Sequence, residues 1–162
     1  MLPPLPPWDG IHPLIVHFPI ALLLVAPLFV LLAILVPRHA AGFSLSALIL
    51  LALGSIGAIV AVESGEAAAQ LAERTPEINA VIARHQELAG WVRLLFSVLT
   101  VVWAGVLVVP RLFKRPLQRV PRLVVSIVFL ALCLAASLVL INTGHLGGRL
   151  VHEFGVRALF AP

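Results

Sequence analysis

The sequence predicts an all-α integral membrane protein folded as a four-helix bundle, and three observations carry that expectation. Apolar residues make up 61% of the chain and charged residues 11%, with a mean hydropathy of +1.11, far from the balance of a soluble domain. Four apolar stretches, 14–36, 43–62, 91–109 and 123–141, each suit a hydrocarbon core about 30 Å thick, which takes roughly 20 helical residues to cross. The links 37–42 and 110–122 are short, so residues 1–162 are expected to form one transmembrane domain.

Before the first span, Pro3, Pro4, Pro6 and Pro7 favour an extended strip that sets Trp8 at the lipid interface. No basic leader is visible, so the first span is expected to remain as an anchor. Pro13 suits the first turn of that helix, while Pro19 removes one internal hydrogen bond and predicts a bend near His17. Between the second and third spans, Thr75-Pro76-Glu77 reads as a helix start, with a cap, a proline at the first position and an acid in the first turn. The spacing of Ile78, Val81, Ile82, His85 and Leu88 continues that outer helix over about 76–90, with Gly90 as a bend into the third span. Cys133 is the lone cysteine and falls inside the fourth span, where it suits a small apolar core position.

Arg111, Lys114, Arg115, Arg119 and Arg122 crowd the last connection without an acid, and Arg38 lies in the first. The positive-inside rule makes both connections cytoplasmic and sends the two termini and the segment 63–90 to the opposite, periplasmic side. All seven acids (Asp9, Glu63, Glu66, Glu73, Glu77, Glu87, Glu153) and five of the six histidines then share that side, His39 being the exception. The outside arginines Arg74, Arg84, Arg93, Arg149 and Arg157 are interleaved with these acids. The basic isoelectric point of 11.1 is accounted for by this topology, and nucleic acid is excluded as a partner.

Ionisable side chains at membrane depth usually face the bundle and mark a function. Counted from the apolar boundaries at about 1.5 Å per residue, His17 and His145 form a deeper pair, and His12, His85 and His152 a shallower layer about 10 Å away. Gly144, Gly147 and Gly148 flank His145; such glycines either let helices approach closely or clear room for a flat macrocycle. Glu63 and Glu66, one turn apart, are candidates for a proton or metal role or for ion pairs with Arg93 and Arg149. Imidazole suits haem iron, copper and zinc. A di-iron carboxylate bundle is disfavoured because no Glu-x-x-His occurs, a thiolate metal site by the single cysteine, and serine nucleophilic catalysis because Ser64 has no base that the sequence identifies.

The opening His12-Pro13-Leu14-Ile15-Val16-His17-Phe18-Pro19 and the closing Gly144-His145-Leu146-Gly147-Gly148-Arg149-Leu150-Val151 resemble a bacterial family of four-helix predicted membrane proteins of unknown function. The resemblance covers nearly the whole chain. It implies residence in a bacterial inner membrane and association with Rieske or cytochrome c domains. His152 and Phe154 stand where many relatives carry tyrosine and histidine, which leaves the role of His152 open.

The expected function is therefore a membrane electron-transfer subunit holding one or two b-type haems by bis-histidine ligation near the periplasmic face. His17 and His145 are the expected axial pair, with Gly144, Gly147 and Gly148 making room; His85 with His152 or His12 would hold a second haem or metal. The alternatives are an anchor or assembly subunit without cofactor or catalysis, and a copper- or zinc-handling or transport protein using Glu63, Glu66 and His85.

Overall fold

The structure, a computed structural model, describes residues 7–8, 10–72, 75–114 and 118–156. Pro3, Pro4, Pro6, Asp9, Glu73, Arg74, Arg115 and Arg157 lie outside the described residues. The described chain is all helical: α1 (His12–Ile15), α2 (His17–Leu35), a 3-10 turn (Pro37–His39), α3 (Ala40–Gln70), α4 (Pro76–Leu112) and α5 (Arg119–His152). It contains four helical stretches long and apolar enough to cross a membrane: His12–Leu35, Pro37–Gln70, Pro76–Leu112 and Arg119–His152.

Three helices outrun their apolar cores. The 37 residues of α4 span about 55 Å at 1.5 Å per residue, so its outer part stands beyond any hydrocarbon layer. It begins as the sequence predicts, with the Thr75 hydroxyl accepting a hydrogen bond from the Ile78 amide at 3.2 Å, and it runs through Gly90 without a break. α5 stays helical through Gly144, Gly147 and Gly148 to His152. Gly155 then takes a left-handed φ of +66°, which glycine adopts at no steric cost, and the Val156 amide returns to the Leu150 carbonyl at 2.9 Å. The interruption between α1 and α2 falls at Val16, four residues before Ile20, because Pro19 has no amide to offer the Ile15 carbonyl.

Two cores hold the bundle. The inner one is anchored by Trp103, stacked on Phe129 with ring centroids 4.3 Å apart and donating its indole N–H to the Ser44 carbonyl at 3.0 Å. Phe96, Leu23, Leu51 and Cys133 are fully buried around it. Helices α2 and α3 approach closely because α3 offers small residues there: a Cβ at Gly54 would lie 2.5 Å from Leu23 and one at Gly57 would lie 3.2 Å from Pro19. The outer core is smaller, with Ile78 and Ile82 of α4 against Leu150, Phe154 and Val156. The cavity described next lies between them. Its floor includes Leu23, Val92 and Leu140 of the inner core, and its roof Ile82, Leu150 and Val156 of the outer one.

Candidate functional site

This cavity, about 480 Å³ in volume, falls within the roughly 300–1,000 Å³ typical of ligand pockets. His12, His17, His85 and His152 all line it, together with Glu66 and Gln86. Two of the imidazoles are held by the same device on opposite halves of the bundle. The His12 Nδ1 meets the Ala61 carbonyl at 2.8 Å, and the His85 Nδ1 meets the Thr143 carbonyl at 3.0 Å. A carbonyl oxygen only accepts, so each Nδ1 carries the proton and each Nε2 of the neutral ring keeps its lone pair.

A glycine one helical turn beyond each carbonyl makes the seat. A Cβ on Gly65 would stand 2.7 Å from the His12 Cε1, and one on Gly147 would stand 3.2 Å from the His85 Cε1. Real side chains do not fit at the first distance and fit at the second only if the ring gives way. These two glycines therefore admit imidazoles against the backbones of α3 and α5. Both rings line the same cavity. Backbone carbonyls holding the Nδ1–H fix tautomer and orientation and raise the basicity of the free nitrogen, the arrangement found behind metal-ligating histidines.

The depth reckoning changes accordingly. His85 sits level with Thr143 and Gly147 rather than a layer above them, because α4 and α5 both stay helical past their apolar stretches and the apolar boundary misplaces the reference. His17 and His145 are not brought together. His17 lines the cavity and donates its Nδ1–H to the Pro13 carbonyl at 3.0 Å, whereas His145 is exposed and is not among the lining residues. The cavity-facing side of α5 runs through Leu140, Thr143, Gly144 and Gly147, and at about 100° per residue His145 turns away from it. His152, at the last residue of α5, reaches the lining from the helix end.

The glycines flanking His145 divide in role. Gly147 seats His85, while a Cβ added at Gly144 or Gly148, both lining the cavity, would meet nothing within 4 Å. No close helix contact requires glycine at those two positions. The acids also part: Glu63 pairs with Arg93 across α3 and α4 at 3.2 Å, and Glu66 lines the cavity. Arg149 pairs with Glu153, the residue that caps the end of its own helix, at 2.8 Å. Sequence reasoning missed Gly65, Ala61 and Thr143; the spacing common to Ala61/Gly65 and Thr143/Gly147, a residue whose carbonyl accepts followed four later by glycine, is a signal too short to read without knowing which histidine faces it.

The predicted-membrane-protein family model DUF2231 matches residues 9–159. The chain belongs to that family. The match covers the opening and closing motifs and every histidine discussed, and agrees with the four spanning helices. No curated protein and no solved structure matches the chain.

Proposed function

We propose that this DUF2231 protein is a haem b-binding electron-transfer subunit whose axial ligands are His12 and His85. The observation that carries the reading is the pair of imidazoles from opposite hairpins, each with Nδ1–H held by a carbonyl and Nε2 free, lining one cavity. A b-type haem asks the protein for two such nitrogens and a flat apolar space, and supplies one-electron chemistry when both axial positions are filled. The open space at Gly144 and Gly148 fits a macrocycle better than it fits a tight helix seam. Among the described residues, no three histidine, cysteine, aspartate or glutamate side chains converge as a metal site.

The remaining groups serve that site. Nδ1 hydrogen bonds orient the ligands, the Leu23, Val92 and Leu140 floor keeps water from the inner side, and Glu66 and Gln86 give the cavity a polar edge. Arg38, Arg111, Lys114, Arg119 and Arg122 mark the opposite end of the bundle as cytoplasmic, so the histidine end faces the periplasm of a bacterial inner membrane. A c-type cytochrome or a Rieske protein is the matching redox partner on that side.

Protein expressed with a haem supply and purified in detergent is expected to give a reduced-minus-oxidised spectrum of low-spin bis-imidazole haem. Absence of haem from such protein would overturn the reading. Copper or zinc at one equivalent without haem would replace it by metal handling, and a cofactor-free protein would replace it by the anchor role.

A further inference from the structure

The two imidazole seats share a backbone plan and differ in the side chain just before the glycine. In the first, the carbonyl is Ala61 and the glycine is Gly65; in the second they are Thr143 and Gly147. The residue just before each glycine is Ser64 in the first seat and Leu146 in the second. Ser64 is fully buried. Its Oγ lies 3.2 Å from the Ala61 carbonyl and 3.3 Å from the His12 Nδ1. The direction of both bonds is forced. A carbonyl only accepts, so the Ser64 hydroxyl spends its hydrogen on Ala61, and its lone pairs are what it turns to the His12 N–H.

His12 therefore donates one N–H to two acceptors. For His85 the acceptor is the Thr143 carbonyl at 3.0 Å, and Leu146, which stands where Ser64 stands in the first seat, has no hydroxyl to add to it. Acceptors on Nδ1–H push electron density toward Nε2 and make the imidazole a stronger donor to whatever Nε2 binds. We propose that Ser64 is a positioning residue for His12, whose buried hydroxyl makes His12 the more electron-rich of the two cavity imidazoles. In its consequence for a bound haem this rests on the proposed function above; in its consequence for the ring itself it does not. A more electron-rich axial ligand favours ferric over ferrous iron and so lowers the potential.

The test uses the full chain in detergent with Ser64→Ala, a substitution smaller than serine and compatible with helix, and its mirror, Leu146→Ser. In cofactor-free protein labelled with 15N-histidine, Ser64→Ala is expected to move the His12 Nδ1–H resonance and leave that of His85 in place. In haem-loaded protein, Ser64→Ala is expected to raise the midpoint potential and weaken haem affinity by about tenfold, and Leu146→Ser to lower the potential. An unmoved His12 resonance overturns the proposal whether or not haem binds. Haem retained at an unchanged potential in both variants overturns the tuning role and leaves the haem reading standing. Protein that takes up no haem at all overturns the haem reading, and the resonance then decides the role of Ser64 alone.

Discussion

The hairpin formed by α1, α2 and α3 and the hairpin formed by α4 and α5 solve the same problem with different tolerance. Each brings a histidine from the outer end of its first helix onto a carbonyl and a glycine of its second. In the first hairpin the ring lies so close to α3 that a methyl group at Gly65 would overlap it at 2.7 Å; in the second, the same group at Gly147 would stand at 3.2 Å. The first seat is also the one with a buried serine and a broken helix just beyond His12. The second belongs to a continuous 37-residue helix. Precision in the first hairpin comes from close contact between small residues, and in the second from the stiffness of one long helix.

Loss of either ring is the largest expected effect and breaks the comparison outright. His12→Ala and His85→Ala are each expected to abolish the low-spin haem spectrum, while His145→Ala leaves it unchanged. A His145→Ala variant without haem, beside a His12→Ala variant that keeps it, would restore the pairing that depth alone suggests.

Next come the seats. Gly65→Ala is expected to weaken haem affinity more than Gly147→Ala, because the closer ring must leave its carbonyl while the farther one needs to give only a few tenths of an ångström. Equal losses in a haem titration would mean that the two seats are equally tight.

Gly144→Ala and Gly148→Ala separate stability from binding. Nothing lies within 4 Å of the added methyl groups, and alanine favours an exposed helix over glycine by up to about 1 kcal/mol. Thermal stability without cofactor should rise slightly, while haem affinity falls because the methyl groups enter the cavity. Unchanged affinity in both would show that the macrocycle does not lie over this face of α5.

The smallest effect concerns the join between the hairpins. Ser55 and Thr100 share a hydrogen bond of 2.9 Å between α3 and α4, and such bonds inside membranes contribute about 0.6 kcal/mol on average. Ser55→Ala should lower the unfolding free energy by roughly that amount and leave the haem spectrum intact. The half-exposed Glu63–Arg93 pair, which joins the same two helices about two turns away, should count for about 0–1 kcal/mol, read by Glu63→Gln in the same unfolding assay.

Much of the architecture was legible before any coordinates, because a bilayer imposes length and apolarity on a helix directly. The four spans, the Thr75 cap, the break ahead of Pro19 and the buried Cys133 all follow from local composition and spacing. The site was legible only as an inventory. That histidines and glycines gather at one end of the bundle follows from the order of the spans, and four of the five histidines at that end do share a cavity.

Which of them face that cavity depended on helix rotation and on where helices stop, and neither is local. His145 sits within the glycine-rich segment of α5 yet turns away from the cavity, since a single residue along a helix rotates a side chain by about 100°. His85, set by apolar counting in a shallower layer, sits level with Gly147, because α4 and α5 both stay helical beyond the apolar boundary, where they meet in the outer core. By itself the sequence determined the class of the protein, its four helices and the residue types available for chemistry. Tertiary structure alone seated His12 and His85 on neighbouring backbones, because a hydrogen bond to a carbonyl on another helix and a glycine beneath the ring exist only once the two helices have met.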